Sequence, residues 1–312
     1  MEHPAFVRML ELAKAPEALE ATVNYLDAQL RQFLKRQERF LICFPRHGEN
    51  DFGTILEKAV RRAGGIPIFA GPDFRWKALL KQAFSSKATA IAGPPLVILG
   101  LTKLARAMGT PLFVRNVLLP GYPCMDWMAD GIQSGLDCRI WGCYDLGQGS
   151  LVGGFSCGKS RGVHLRSDVY SLEIVDETGA PVPPGQVGDI VIWPNQEPSN
   201  RYPTLERGRL ETSPCACGNP SPRLMELGPG RFLDPELAEL GTELLSWTSI
   251  LDCRLSRGPH GLEMELVTFP GEKLPKLPSC ARQVIRPWDP EQDMPFWMSA
   301  GWKNTGNSGE NH

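Results

Sequence analysis

No apolar run in this sequence approaches the roughly 18–20 residues needed to cross a bilayer. Its absence excludes a helical membrane span. Net charge is almost missing as well. Lys and Arg number 33 against 35 Asp and Glu, leaving −2 at pH 7, which excludes a general attraction to nucleic acid or anionic lipid. No signal-peptide pattern opens the chain, because MEHPAFVRMLELAKAPEALE is broken by charges every few residues. Nine cysteines without a secretory signal point to a reducing compartment, with the cytoplasm as the default. They read as thiols or metal ligands, not disulfides. No internal repeat is apparent. With 42% apolar and 22% charged residues, the chain is of ordinary globular composition and not disordered. Its 312 residues are long for one core and short for two full domains.

What is present begins with a helical pattern. Residues 16–36 carry Leu19, Val23, Leu26, Leu30 and Phe33 at helical spacing, with charges on the other face. FLICF at 40–44 suits a buried strand. Helices near 54–63, 74–84, 95–107 and 123–133 then alternate with strands at 66–69, 89–93, 111–119 and 138–144. Strand–helix alternation with crossovers of this length predicts an α/β fold, a mainly parallel sheet covered by helices. After residue 150 the character becomes β-rich. VYSLEIVD and VGDIVIW flank the Gly/Pro-rich ETGAPVPPGQ, which predicts an antiparallel sheet or barrel attached to the α/β layer. A third piece offers a short helix near 235–245 and two strands around a Gly-Pro-His-Gly turn. The expected organisation is a large domain over 1–230, its α/β layer reaching to about 150 and its β-rich part covering 151–230. A shortened C-terminal unit follows over 231–290 and a tail over 291–312, whose last ten residues are expected to be disordered.

The stretch from Tyr144 to Arg231 carries the most information. It reads YDLGQGSLVGGFSC, GVHLRSDVYSLEIVDETGAPVPPGQVGDIVI, SNRYPTLERGRL, CACGNPSPRL and GPGR in that order. These segments and spacings resemble the phenylacetate–CoA ligase branch of the acyl-adenylate-forming, or AMP-binding, superfamily. The resemblance covers roughly residues 16–250 and weakens beyond, where the C-terminal lid is about half the family's length. It implies ATP or AMP and CoA as ligands. It also assigns nucleotide contacts. Gly121 and Tyr122, in Pro-Gly-Tyr-Pro at 120–123, match the segment whose backbone packs against adenine. Ala92-Gly93-Pro94-Pro95 matches the segment lining the cleft. Tyr144 and Gln148 fall in the family's Y-G-L-[ST]-E motif, Glu206 matches the ribose-gripping Asp of R-Y-R-T-x-D, and Arg231 matches the Gly-Arg hinge. A surface salt bridge is the plain alternative for Arg231.

Three departures separate this chain from that pattern. The Ser/Thr/Gly-rich phosphate loop is absent, and the Gly-rich run at 147–154 lies elsewhere, as a turn after the Tyr144 strand. Gln148 replaces the Mg²⁺-binding Glu, and a neutral amide is a weak ligand for a hard cation. LPKLPSCARQVI at 274–285 aligns Cys280 with the catalytic Lys of G-K-A-x-R-V, and a thiol supplies no cationic donor for α-phosphate charge. The resulting expectation is a degenerate ligase-like protein that keeps a nucleotide or acyl/CoA cleft. The alternatives are an acyl- or aryl-CoA ligase that remains active or is completed by a partner, and a non-catalytic interaction subunit. A homodimer or a separately encoded partner subunit is compatible with each.

Cys157, His164, Cys215 and Cys217 form a separate set. Three thiolates and an imidazole suit four-coordinate Zn²⁺, and the C-x-C-G element resembles one that provides a structural zinc in members of the branch. Buried unligated thiols beside a surface histidine are the alternative. Cys43, Cys138 and Cys143 sit in apolar strand contexts and read as core, with Cys253 also in a strand. His47 and Arg46, in FPRHGEND, read as a polar strand-exit loop or as a phosphate-binding or catalytic pair. Trp288, Phe296, Trp297 and Trp302 offer an aromatic surface for the shortened lid or for a partner.

Overall fold

Strand–helix alternation organises the first half of the chain as the sequence pattern predicts. The structure, a computed structural model, describes residues 15–44, 48, 51–71, 73–120, 126–145, 152–199, 201–229 and 235–295. Helix α1 (Pro16–Leu30) opens with proline in its first turn and Glu17 near its positive end. It stops six residues before the predicted boundary of 36. The chain tightens there, Phe33 N–H donating to the Leu30 carbonyl, and Phe33 still reaches the core by stacking on Trp141 with ring centres 4.5 Å apart. There follow β1 (Arg39–Ile42), α2 (Phe52–Arg62), β2 (Ile66–Phe69), α3 (Trp76–Ser86), β3 (Ala90–Ala92), α4 (Pro95–Ala107), β4 (Asn116–Pro120), α5 (Asp126–Leu136) and β5 (Arg139–Asp145). Strand β4 is shorter than the predicted 111–119. Its partners on β3 and β5 begin only at Asn116, so 111–115 runs outside the ladder and Phe113 is exposed.

The five strands lie parallel in the order β2-β1-β3-β4-β5. Successive side chains point to opposite faces, and both faces are buried. Leu41, Cys43, Val117 and Leu119 join α3, α4 and α5, while Phe40, Ile42, Leu118 and Trp141 join α1 and α2. Burial on both sides explains why these strands read as unbroken apolar runs. The order reverses beside β1, and in open α/β sheets the crevice at such a switch point is where ligands bind. Gly93, just past β3, lies at that end. A Cβ there would stand 2.8 Å from Ile98 and 3.0 Å from Cys43, so the close packing of strand end and helix requires glycine.

The β-rich part is not a separate barrel. Strands β6 (Val152–Phe155), β7 (Val163–Leu165), β8 (Tyr170–Val175), β9 (Gly188–Pro194), β10 (Tyr202–Glu211) and β11 (Arg223–Pro229) continue the same sheet antiparallel from β5, in the order β6-β7-β11-β10-β9-β8. The seam between β7 and β11 is narrow, registered only through Arg223 with His164 and Leu224 with Val163.

Helix α6 (Pro235–Ser246) and β12 (Ile250–Gly258), β13 (Gly261–Thr268) and β14 (Arg282–Pro287) form the C-terminal unit. The two predicted strands pair through the expected turn, and β14 adds a parallel third strand. One face of the unit packs on α6. The other sends Leu251, Val267 and Phe269 into the core of α3 and α4, with Trp288 packed against it. Among the described residues no helix is long and apolar enough to cross a membrane.

The buried thiols make a testable contribution. Burial pushes Cys43 and Cys253 up to about 12 and Cys138 up to about 11. Their folded pKa values exceed the unfolded ones, so the unfolded chain loses these protons first. That contribution is complete below pH ~8.5 and is lost as pH rises towards 12. Lys103, lowered to about 8 by burial, acts oppositely between pH ~8 and ~10.4. With three thiols against one amine, urea midpoints should fall steadily above pH 9. Cys43→Ala and Cys253→Ala should each flatten that fall.

Candidate functional site

Two of the residues assigned to a nucleotide site converge in the antiparallel half. Tyr144 leaves the end of β5 and Glu206 lies on β10, both buried. The Tyr144 hydroxyl donates to Glu206 Oε2 at 2.5 Å, and Glu206 N–H donates to Thr204 Oγ1 at 3.2 Å. The fold thus joins two positions 62 residues apart that sequence alone could only place in separate motifs. Gly121, Tyr122, Gln148 and Arg231 lie outside the described residues, as do Arg46, His47, Phe296, Trp297 and Trp302. Cys280 sits in the turn before β14, half-buried against the apolar cluster of the C-terminal unit. Its Sγ is 3.4 Å from the Pro278 carbonyl. Lys276 and Arg282 are exposed.

The second constellation is complete. Cys157 follows β6, His164 lies on β7, and Cys215 and Cys217 lie in the β10–β11 connection. Their donor atoms all fall within 4.8 Å of one another, a set able to hold a metal ion. Cys157 Sγ is 3.6 Å from Cys215 Sγ, far beyond the ~2.05 Å of a disulfide, and Cys217 Sγ is 3.3 Å from His164 Nε2. His164 is buried, 4% exposed, which removes the surface-histidine alternative.

The surroundings orient these ligands. His164 Nδ1 lies 2.9 Å from the Ser221 carbonyl. An N–H donated there leaves the Nε2 lone pair facing the thiols, the arrangement that fixes a metal-binding tautomer. Asn219 N–H donates to Cys217 Sγ at 3.4 Å. The Cys217 turn is closed by Gly218, whose φ of +81° is a left-handed conformation that glycine adopts without strain. The Ser160 hydroxyl at 3.4 Å is the first cause holding the Cys215 thiol down at about 5, followed by the Cys217 backbone N–H. The sequence signals the four ligands by residue type. The supporting Ser160, Asn219 and Ser221 carry no such signal and emerge only from the fold. Cys157 and His164 lie on the β6–β7 side and Cys215 and Cys217 on the β10–β11 side, so the set spans the narrow β7–β11 seam.

No protein-family profile matches the sequence, and no curated protein matches it. Solved structures do. The chain is similar to 2-hydroxyisobutyryl-CoA ligase in its post-adenylation state, with a TM-score of 0.66 and 14% identity over 81% of this chain and 59% of that one. It is similar to the amide bond synthetase McbA of Marinactinospora thermotolerans, with a TM-score of 0.55 and 16% identity over 85% and 62%. ATP-bound MatB of Rhodopseudomonas palustris gives a TM-score of 0.54 and 15% identity over 85% and 60%. The fold is therefore that of the acyl-adenylate-forming ligases. The chain spans about three fifths of the length of these structures.

Proposed function

We propose that this chain is a degenerate, phenylacetate–CoA ligase-like protein. It binds a nucleotide or an acyl-CoA in the cleft at the strand ends, does not form the acyl-adenylate, and carries a structural zinc. The observation that carries this reading is the meeting of Tyr144 and Glu206. The motif order assigns both residues as nucleotide contacts, and their hydrogen bond supports that reading. Glu206 offers carboxylate oxygen to the ribose hydroxyls, and Tyr144 orients that carboxylate through its hydroxyl.

The loss of synthesis follows from chemistry. An adenylating enzyme must stabilise charge on a pentavalent phosphate with cations. Gln148 is a poor Mg²⁺ ligand, and Cys280, at the lysine position, lies in an apolar cluster. The C-terminal unit is also tied down. Lys103 on α4 donates through Nζ to the carbonyls of Leu245, Trp247 and Ile250 at 2.5, 3.0 and 2.8 Å. The Trp76 N–H reaches the Asp293 carbonyl.

The donor set fits zinc. With Zn–S near 2.3 Å and Zn–N near 2.0–2.1 Å, a tetrahedral ion separates two sulfurs by about 3.8 Å and sulfur from nitrogen by about 3.5 Å. The observed 3.6 and 3.3 Å are close to both. All four positions are taken by protein, so a bound ion acts structurally: it withdraws the charge of the thiolates and ties the loops together.

A second reading is an acyl- or aryl-CoA ligase completed by a further polypeptide segment. The share of the solved ligases that this chain spans favours it. ATP–pyrophosphate exchange with aryl and short acyl carboxylates separates the two. No exchange above background is expected from the chain as given, and exchange with any carboxylate would refute the loss of synthesis.

A further inference from the structure

A cavity lined in part by the metal-ligand set contains a buried charge that the fold compensates only weakly. Arg166, just past β7, is 5% exposed. A guanidinium has five N–H donors. Among the described residues Arg166 has one hydrogen-bond acceptor, Thr22 Oγ1, 3.2 Å from Nη1, and its Nε has none. The carboxylate it faces, Asp168, lies 3.8 Å from Nε and is 72% exposed, so water screens it. The Tyr25 ring lies 4.9 Å from the guanidinium carbon, a cation–π contact weaker than the cost of withdrawing a cation from water.

Arg166 lines a cavity of about 430 Å³ between Tyr25, Gln29 and Gln32 of α1 and a wall formed by Cys157, His164 and Cys217 of the metal-ligand set. Burial holds the Tyr25 phenol above its ordinary range, so its hydroxyl stays a donor. Asp168 is the one carboxylate among the described residues lining the cavity, and the Cys157 and Cys217 thiols line it as well. Neither Tyr144 nor Glu206 is among the residues lining it.

We propose that this cavity binds an oxyanion, the carboxylate or phosphoryl group of a small ligand, on the Arg166 guanidinium and the Tyr25 hydroxyl. The volume admits an organic acid or phosphate ester, with Phe155 and Leu165 supplying apolar wall. The pairing is a charge-assisted one, strong where water is excluded.

The test titrates the full chain with inorganic phosphate and, separately, with acetate at constant ionic strength, reading Tm and calorimetric heat. A saturable rise is expected, about 5 °C at a hundredfold excess over Kd. A response to phosphate alone identifies a phosphoryl group, and a response to acetate identifies a carboxylate. Gln32→Trp, at an exposed position on the rim, should abolish the rise while leaving circular dichroism and metal content unchanged. Arg166→Met should abolish it as well and leave the anion-free Tm within about 2 °C, because the buried charge it removes is only weakly paired. No saturable rise with either anion, or a rise that survives Gln32→Trp, overturns the proposal.

Discussion

Stripping the proposed zinc from this protein should lower its Tm by about 8 °C. The ligands straddle the β7–β11 seam, where only two residue pairs register the halves of the sheet. A structural ion that binds the folded chain and not the unfolded one stabilises by mass action. For a tightly held zinc this is on the order of 5 kcal/mol, and a chain of 312 residues shifts by roughly 1.5 °C per kcal/mol. Cys157→Ser, Cys217→Ser and His164→Ala should each reproduce the loss. A chelator should then have no further effect, since these substitutions and metal removal break the same clasp. Cys138→Ala, outside the cluster and buried in the core, should leave zinc content unchanged. Elemental analysis finding under about 0.2 zinc per chain in protein purified without a His-tag would count the zinc assignment out.

Lys103→Met should cost nearly as much. The substitution keeps an apolar stem but removes the three N–H donors that satisfy the Leu245, Trp247 and Ile250 carbonyls. These lie at the C-terminal end of α6 and the entry to β12. The Trp247 carbonyl still accepts from the Ile250 N–H, while the part-buried Leu245 and Ile250 carbonyls lose the Lys103 donor, at about 1–3 kcal/mol each. A loss of about 2–5 kcal/mol, or roughly 3–8 °C, is expected. Amide exchange in α6 and β12 should accelerate more than in β4 or β5, because the defect is at the junction of the C-terminal unit with α4. Unchanged exchange in α6 would show that the apolar contacts of Leu251, Val267 and Phe269 hold the unit unaided.

The parallel half was legible because its physics is local. Strands buried on both faces leave short apolar runs such as FLICF, and helices with one buried face leave a 3.6-residue period. The helix boundaries deviated where tertiary contacts intervened, as when α1 ends at Leu30 so that Phe33 can turn onto Trp141. Whether the β-rich part continues the sheet or stands apart was not legible. That outcome depends on β5 pairing with β6 and β7 with β11, contacts between segments distant in sequence. Strand β14 escaped notice because its residues are mostly exposed and lack alternation. The metal ligands were visible by type, while their closeness is a product of the β10–β11 connection folding back over β7. Arg166 gave no signal at all: a single arginine in a polar loop is unremarked until its burial and its missing partners are seen.

The proposed function requires that the cleft bind a nucleotide or CoA without forming an acyl-adenylate. Calorimetric titration of the full chain with AMP, and then with CoA, tests it most directly. Saturable binding of at least one of them is expected at millimolar concentration or below. If AMP binds, Glu206→Gln should weaken it by about tenfold, since a charged acceptor for the ribose hydroxyls is worth about 1.5–3 kcal/mol. Absence of heat from both ligands at millimolar concentration would contradict the account.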